Sequence, residues 1–208
     1  YNFNNAANTL YEFIWHKFCD WYIEFVKPNI TDIKVQFGLV YLIDNMLRLL
    51  HPFMPFITEE LWQKFPHKGD SIMIADWSKT DKSLIDETLN EKFSIIMNVI
   101  SAARNIRSEM DIAPSKNINI LCVCPREEER KLIEEFTSQI KFIAGADEVK
   151  LFKRLKKPKK SSYACAGDLQ IYVPLEGLID FAQEEKRRIL AHAQAQGQGY
   201  PVAWSVFA

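Results

Sequence analysis

Leu10-Tyr-Glu-Phe-Ile-Trp-His-Lys-Phe-Cys-Asp-Trp-Tyr-Ile-Glu-Phe25 decides how the front of this chain is read. Leu10, Phe13, Ile14, Phe18, Trp21, Tyr22 and Phe25 recur at three- and four-residue steps, which gathers them on one broad helix face. Asn4 or Asn5 is the expected N-cap, and Lys27-Pro28 stops the helix near Val26 because proline disfavours a helical residue before it. Trp15, Trp21 and Tyr22 read as core rather than as platforms for stacked bases, since their spacing follows the apolar face.

Downstream, the same period continues. Thr31 and Asp32 supply the next N-terminus, Phe37, Tyr41, Met46, Leu49 and Leu50 mark a second helix, and His51-Pro52 breaks it. Pro55 then suits the first turn of a short third helix carrying Ile57, Leu61, Trp62 and Phe65. After a loop over 66–79, a long helix is predicted over 83–110, with Leu89, Phe93, Ile96, Met97, Ile100 and Ala103 as its buried stripe. Arg104 and Arg107 continue that stripe, and Pro114 closes the segment.

The character changes after residue 115. Residues 117–123 alternate like a strand, 126–143 form a charged amphipathic helix ended by Gly145, and 148–155, 162–166 and 169–173 read as strands, with Gly167-Asp168 as a tight turn. The fold class is therefore mainly α: a helical bundle over 1–114, a small α+β module over 115–175, a further helix starting over 176–193, and an aperiodic tail over 194–208.

The chain has 208 residues, of which 48% are hydrophobic and 25% charged, proportions that exclude a disordered or collagen-like chain. A formal net charge of -1 gives the whole molecule no basic character, so a nucleic acid must be met by a local patch. Lys, Asp or Glu interrupts every apolar run before the roughly 18 residues that a membrane span needs. The first residues lack the pattern of a signal peptide, and four cysteines with no CxxC pair point to a reducing compartment, with the cytoplasm as default.

No phosphate-binding glycine loop, HExxH or GxSxG motif occurs, and no catalytic residue is assigned. His16, Cys19 and Asp20 share a helix face at metal-ligand spacing, but a local His16–Asp20 contact beside a buried cysteine is expected, and no metal is assigned. Cys122 and Cys124 point to one side of a strand and read as core. Two basic features remain. Arg104-Asn105-Ile-Arg107 sets two guanidinium groups one turn apart, able to fork onto phosphate or a base edge, or to pair with Glu109 and Asp111. Residues 150–160 hold Lys150, Lys153, Arg154, Lys156, Lys157, Lys159 and Lys160 with no acid, fit either to follow an RNA backbone or to form a solvated hairpin whose lysines discourage edge pairing.

Four segments in order carry a family resemblance. Tyr11-Glu-Phe-Ile-Trp-His-Lys-Phe-Cys-Asp-Trp-Tyr-Ile-Glu24 and Leu49-Leu-His-Pro-Phe-Met-Pro-Phe-Ile-Thr-Glu-Glu-Leu-Trp62 resemble the anticodon-binding region of valyl-tRNA synthetases. Arg104-Asn-Ile-Arg-Ser-Glu-Met110 and Val173-Pro-Leu-Glu-Gly-Leu-Ile-Asp180 resemble the helix end and the junction to the C-terminal coiled coil that follow it there. The resemblance implies a helical domain on the anticodon stem of valine tRNA, within a ligase that joins valine to tRNA using ATP and magnesium. It also implies that the HIGH, KMSKS and editing segments, and a first bundle helix, lie outside this sequence, so the chain alone is expected to bind and not to catalyse. Its expected partners are valine tRNA and the catalytic part of the ligase, with no membrane and no DNA. Arg104, Asn105 and Arg107, then Lys153, Arg154, Lys156 and Lys157, are the expected RNA contacts. The other readings are a free-standing RNA-binding or scaffolding module and a non-functional remnant.

Overall fold

A computed structural model describes residues 2–179. The chain divides into two compact units, Tyr1–Ile85 and the residues from Asp86 onward.

The first unit is helical. Its opening helix begins at α1 (Phe3–Tyr11), continues through a wider-wound stretch (Glu12–Ile23) and ends in α2 (Glu24–Val26) and a tight turn (Lys27–Asn29). The cap is Asn2, whose side-chain oxygen accepts from the Asn5 N–H at 3.1 Å, rather than Asn4 or Asn5. The wide stretch is a π-helix, so its side chains depart from the 3.6-residue period on which the stripe was read. Phe18 and Phe25 are buried as expected, Trp21 and Tyr22 are half-buried, but Phe13 and Trp15 are exposed. Trp15 is thus not core: it is 55% exposed and stacks on Tyr11 with ring centroids 6.4 Å apart.

Helices α3 (Ile33–Leu50) and α4 (Pro55–Trp62) follow, α3 capped by Asp32 and α4 opened by its proline. Gly38 lets α3 approach the opening helix, because a Cβ there would lie 2.9 Å from the Tyr22 hydroxyl. Leu47, Trp62 and Ile72 form a core packed by Ile43, Phe65 and Ala75. Trp62 is fully buried, and its indole N–H donates to Asp44 at 2.6 Å, so the ring is buried without an orphaned donor. Asp44 pairs with Arg48 at 3.0 Å, and Arg48 donates to the Asp76 carbonyl at 2.7 Å, tying the following loop to α3.

The second unit begins with α5 (Glu87–Glu109), capped by Asp86, whose carboxylate accepts from the Thr88 and Leu89 N–H groups. Its buried residues are Ile96, Val99, Ile100, Ala102, Ala103 and Ile106, while Leu89 is exposed. Within this unit α5 packs on the sheet and on the two helices after it. Strand β1 (Ile118–Val123) leads into α6 (Glu127–Glu135) and α7 (Thr137–Ala144), two helices meeting at Phe136 where one was expected. Strands β2 (Ala146–Phe152), β3 (Ser161–Ala166) and β4 (Leu169–Pro174) complete a four-stranded sheet in the order β2-β1-β4-β3. β1 and β2 run parallel across the helical crossover, and β3 and β4 form an antiparallel hairpin through Gly167, whose φ of 62° suits glycine.

Ile118, Ile120, Cys122 and Cys124 all have 0% exposure, which marks the inward positions of β1 and its end. β2 and β3 lie on opposite edges of the sheet, so residues 153–160 are a crossing connection and not the hairpin turn that was one reading of them. After β4 the chain turns over residues 176–178, with Leu178 N–H donating to the Leu175 carbonyl at 3.1 Å. The remainder of the helix expected over 176–193, its coiled-coil continuation and the tail over 194–208 lie outside the described residues.

Candidate nucleic-acid interface

The end of α5 and the end of α7 meet at two arginines. α7 stops at Ala144 because Gly145 takes a left-handed φ of 63°, leaving the last carbonyls of the helix without intrahelical donors. Arg104 Nε donates to the Ile143 carbonyl at 3.2 Å. Arg107 donates through Nη1 to Ala144 and Gly145 at 3.0 and 2.8 Å, and through Nη2 to Ala113 and Pro114 at 3.2 and 3.3 Å. A cation at a helix C-terminus also opposes the negative end of its dipole. The fork expected on phosphate or a base therefore closes, in Arg107, on four carbonyls of its own chain.

Arg104 differs. It is exposed, and the carbonyl bond uses only its Nε. Asn105 beside it is exposed too. Both arginines border an open groove of about 560 Å³ that also touches Ser108, Asp111, Phe142 and Ile143.

The second basic feature starts where β2 ends. Lys153, Arg154, Lys156 and Lys157 are exposed. Lys150, within β2, pairs with Glu148 at 3.0 Å, and Lys157 Nζ lies 5.6 Å from the centre of the Tyr163 ring. The two features are not gathered into one patch. Gly145 precedes the first residue of β2 and Lys153 follows its last, so the strand separates them by roughly 20 Å.

The histidine–aspartate contact expected on the opening helix is present, His16 Nδ1 lying 3.2 Å from Asp20, with Cys19 half-buried. Sequence periodicity missed the exposed Tyr11–Trp15 pair; their four-residue separation was the available signal, since such residues are neighbours on a helix surface. Among the described residues, no helix is long and apolar enough to cross a membrane.

The sequence of these two units places them in a defined protein class. A sequence model of the anticodon-binding domain of tRNA ligase matches residues 1–122, and the chain belongs to that family. Within it, the chain is 42% identical over 190 residues to a valine–tRNA ligase of Thermotoga maritima, an alignment covering 90% of this chain and 21% of the relative. It is 38% identical over 195 residues to that of Geobacter sulfurreducens and 37% over 193 to that of Geobacillus stearothermophilus, each covering 90% of this chain and 22% of the relative. The chain spans about a fifth of the length of the curated relatives it matches.

Proposed function

We propose that this chain is the tRNA-binding portion of a valine–tRNA ligase, acting on valine tRNA in the cytoplasm. The observation that carries the reading is the family membership of residues 1–122, joined to alignments with valine–tRNA ligases that run through the sheet unit as well. Arg104 and Asn105 make the close contacts at the helix end, and Lys153, Arg154, Lys156 and Lys157 follow the backbone with a salt-dependent attraction. Arg107 fastens the end of α5, from which Arg104 and Asn105 project, to the end of α7. Trp15, exposed and already stacked on Tyr11, offers a face on which an unpaired base can stack. On this reading, activation of valine with ATP and magnesium belongs to the part of the ligase that carries the HIGH and KMSKS signatures, which this sequence does not contain.

Filter binding of the chain to valine tRNA and to a non-cognate tRNA tests the proposal. Tighter retention of valine tRNA at moderate salt is expected. Equal retention of both would reduce the chain to a general RNA binder, and no retention of either by folded protein would overturn the reading.

A further inference from the structure

Cys122 and Cys124 are two positions apart at the end of β1, and their Sγ atoms are 3.3 Å apart, each with 0% residue exposure. Inward positions of a strand two residues apart have Cα atoms about 6.6 Å apart, within the range that a disulfide spans. Nothing in the RNA-binding reading uses them. The pair is polarised: the S–H···S contact, with burial, raises the Cys122 thiol and lowers that of Cys124, with Arg130 adding to the lowering and burial and Glu129 opposing it. The Cys124 N–H also donates to the Phe152 carbonyl at 2.8 Å, so this sulfur sits where β1 is fastened to the last residue of β2.

We infer that Cys122 and Cys124 form a site of reversible oxidation by hydroperoxides, closing to an intrachain disulfide. The Cys124 thiolate attacks one oxygen of hydrogen peroxide, the O–O bond breaks, and the departing hydroxide takes up a proton to become water. The resulting sulfenic sulfur is attacked by Cys122 sulfur; the S–S bond forms, the S–O bond breaks, and hydroxide leaves with the Cys122 proton as a second water. Two thiols lose two electrons and two protons, and one peroxide becomes two waters. The sulfurs must close from 3.3 Å to about 2.05 Å. Neither residue has surface open even to water, so peroxide reaches the sulfurs through brief local opening at the end of β1, which admits a small molecule more readily than a bulky maleimide.

The test uses the full chain. Folded protein is treated with hydrogen peroxide, then denatured and alkylated, and the tryptic peptide spanning residues 117–126, which holds both of these cysteines and no other, is weighed. The expected result is a peptide lighter by two hydrogens than its reduced form and unalkylated, restored to double alkylation by dithiothreitol. Native protein should meanwhile resist N-ethylmaleimide at both positions. A peptide doubly alkylated after peroxide overturns the inference, as does sulfinic acid on Cys124 with Cys122 still a thiol. In C122A, dimedone present during denaturation after peroxide should trap a sulfenic acid on Cys124, and in C124A it should trap none on Cys122. The reverse pattern would overturn the assigned order of attack. The wild-type mass stands even if a variant fails to fold.

Discussion

Arg107 donates to two carbonyls within the α5–β1 loop and to two at the end of α7, joining three pieces of chain that the sequence separates by up to 38 residues. Hydrogen bonds from a charged donor contribute about 1.5–3 kcal/mol each when made and leave desolvated acceptors when lost. Arg107→Ala is therefore expected to lower the stability of the chain by about 2–3 kcal/mol in urea denaturation, with little change in the tRNA affinity of the fraction that stays folded. Arg107→Lys should recover only part of the loss, because an ammonium lacks the planar fork that reaches both pairs of carbonyls. A fall in tRNA affinity without a fall in stability would return Arg107 to direct contact with RNA. The two guanidinium groups were legible in the sequence as neighbours one turn apart, but their targets were not. Those targets are main-chain oxygens, which carry no sequence signature, and only the left-handed turn at Gly145 brings them within reach.

At the scale of the element, the starts of α3 and α4 and the stop of α7 were legible because caps act locally. Asp32, Pro55 and the Gly145 stop fall where side-chain chemistry puts them. Asp86 shows the energetics. Hydrogen bonds from the Thr88 hydroxyl and the Leu89 and Thr88 N–H groups hold its carboxyl below the usual carboxylate range. A carboxylate depressed on folding stabilises at any pH above its unfolded value, and that stabilisation is lost as pH falls through the lower folded value. Amide exchange at Thr88 and Leu89, corrected for its intrinsic pH dependence, should accordingly be slow at neutral pH and quicken on acidification below about pH 4. Asp86→Ala should show quick exchange at every pH. Asp86→Asn, which still accepts a hydrogen bond but has no charge to lose, should show slow exchange with no acid step. Identical exchange in the three proteins would remove the cap from the account. The opening helix was less legible: its apolar residues were read on an α period, and the π-wound stretch turns Phe13 and Trp15 outward.

For the whole molecule, charge has to be placed before it can be counted. A net charge of -1 hides the run at residues 153–157, where Lys153, Arg154, Lys156 and Lys157 stand exposed beyond the edge strand β2. If those cations follow an RNA backbone, replacing Lys153, Arg154 and Lys156 together by Ala should lower the magnitude of the salt slope of tRNA binding by about 0.7–0.9 per contact removed. The same loss should be seen with valine tRNA and a non-cognate tRNA, since phosphates carry no sequence information. An unchanged slope would confine binding to the helical unit and the end of α5.

The sequence by itself determined the helical front, the βα crossover followed by a hairpin, the signals at Asp32, Pro55 and Gly145, and the family to which the chain belongs, because periodicity, turn chemistry and motif order are properties of neighbouring residues. Tertiary structure alone decided that α5 packs with the sheet, that β2 and β3 take opposite edges, and that Arg107 faces carbonyls while Arg104 keeps a face to solvent. Those outcomes depend on which apolar faces bury each other and on where backbone oxygens are left without donors, and both arise only when distant segments meet.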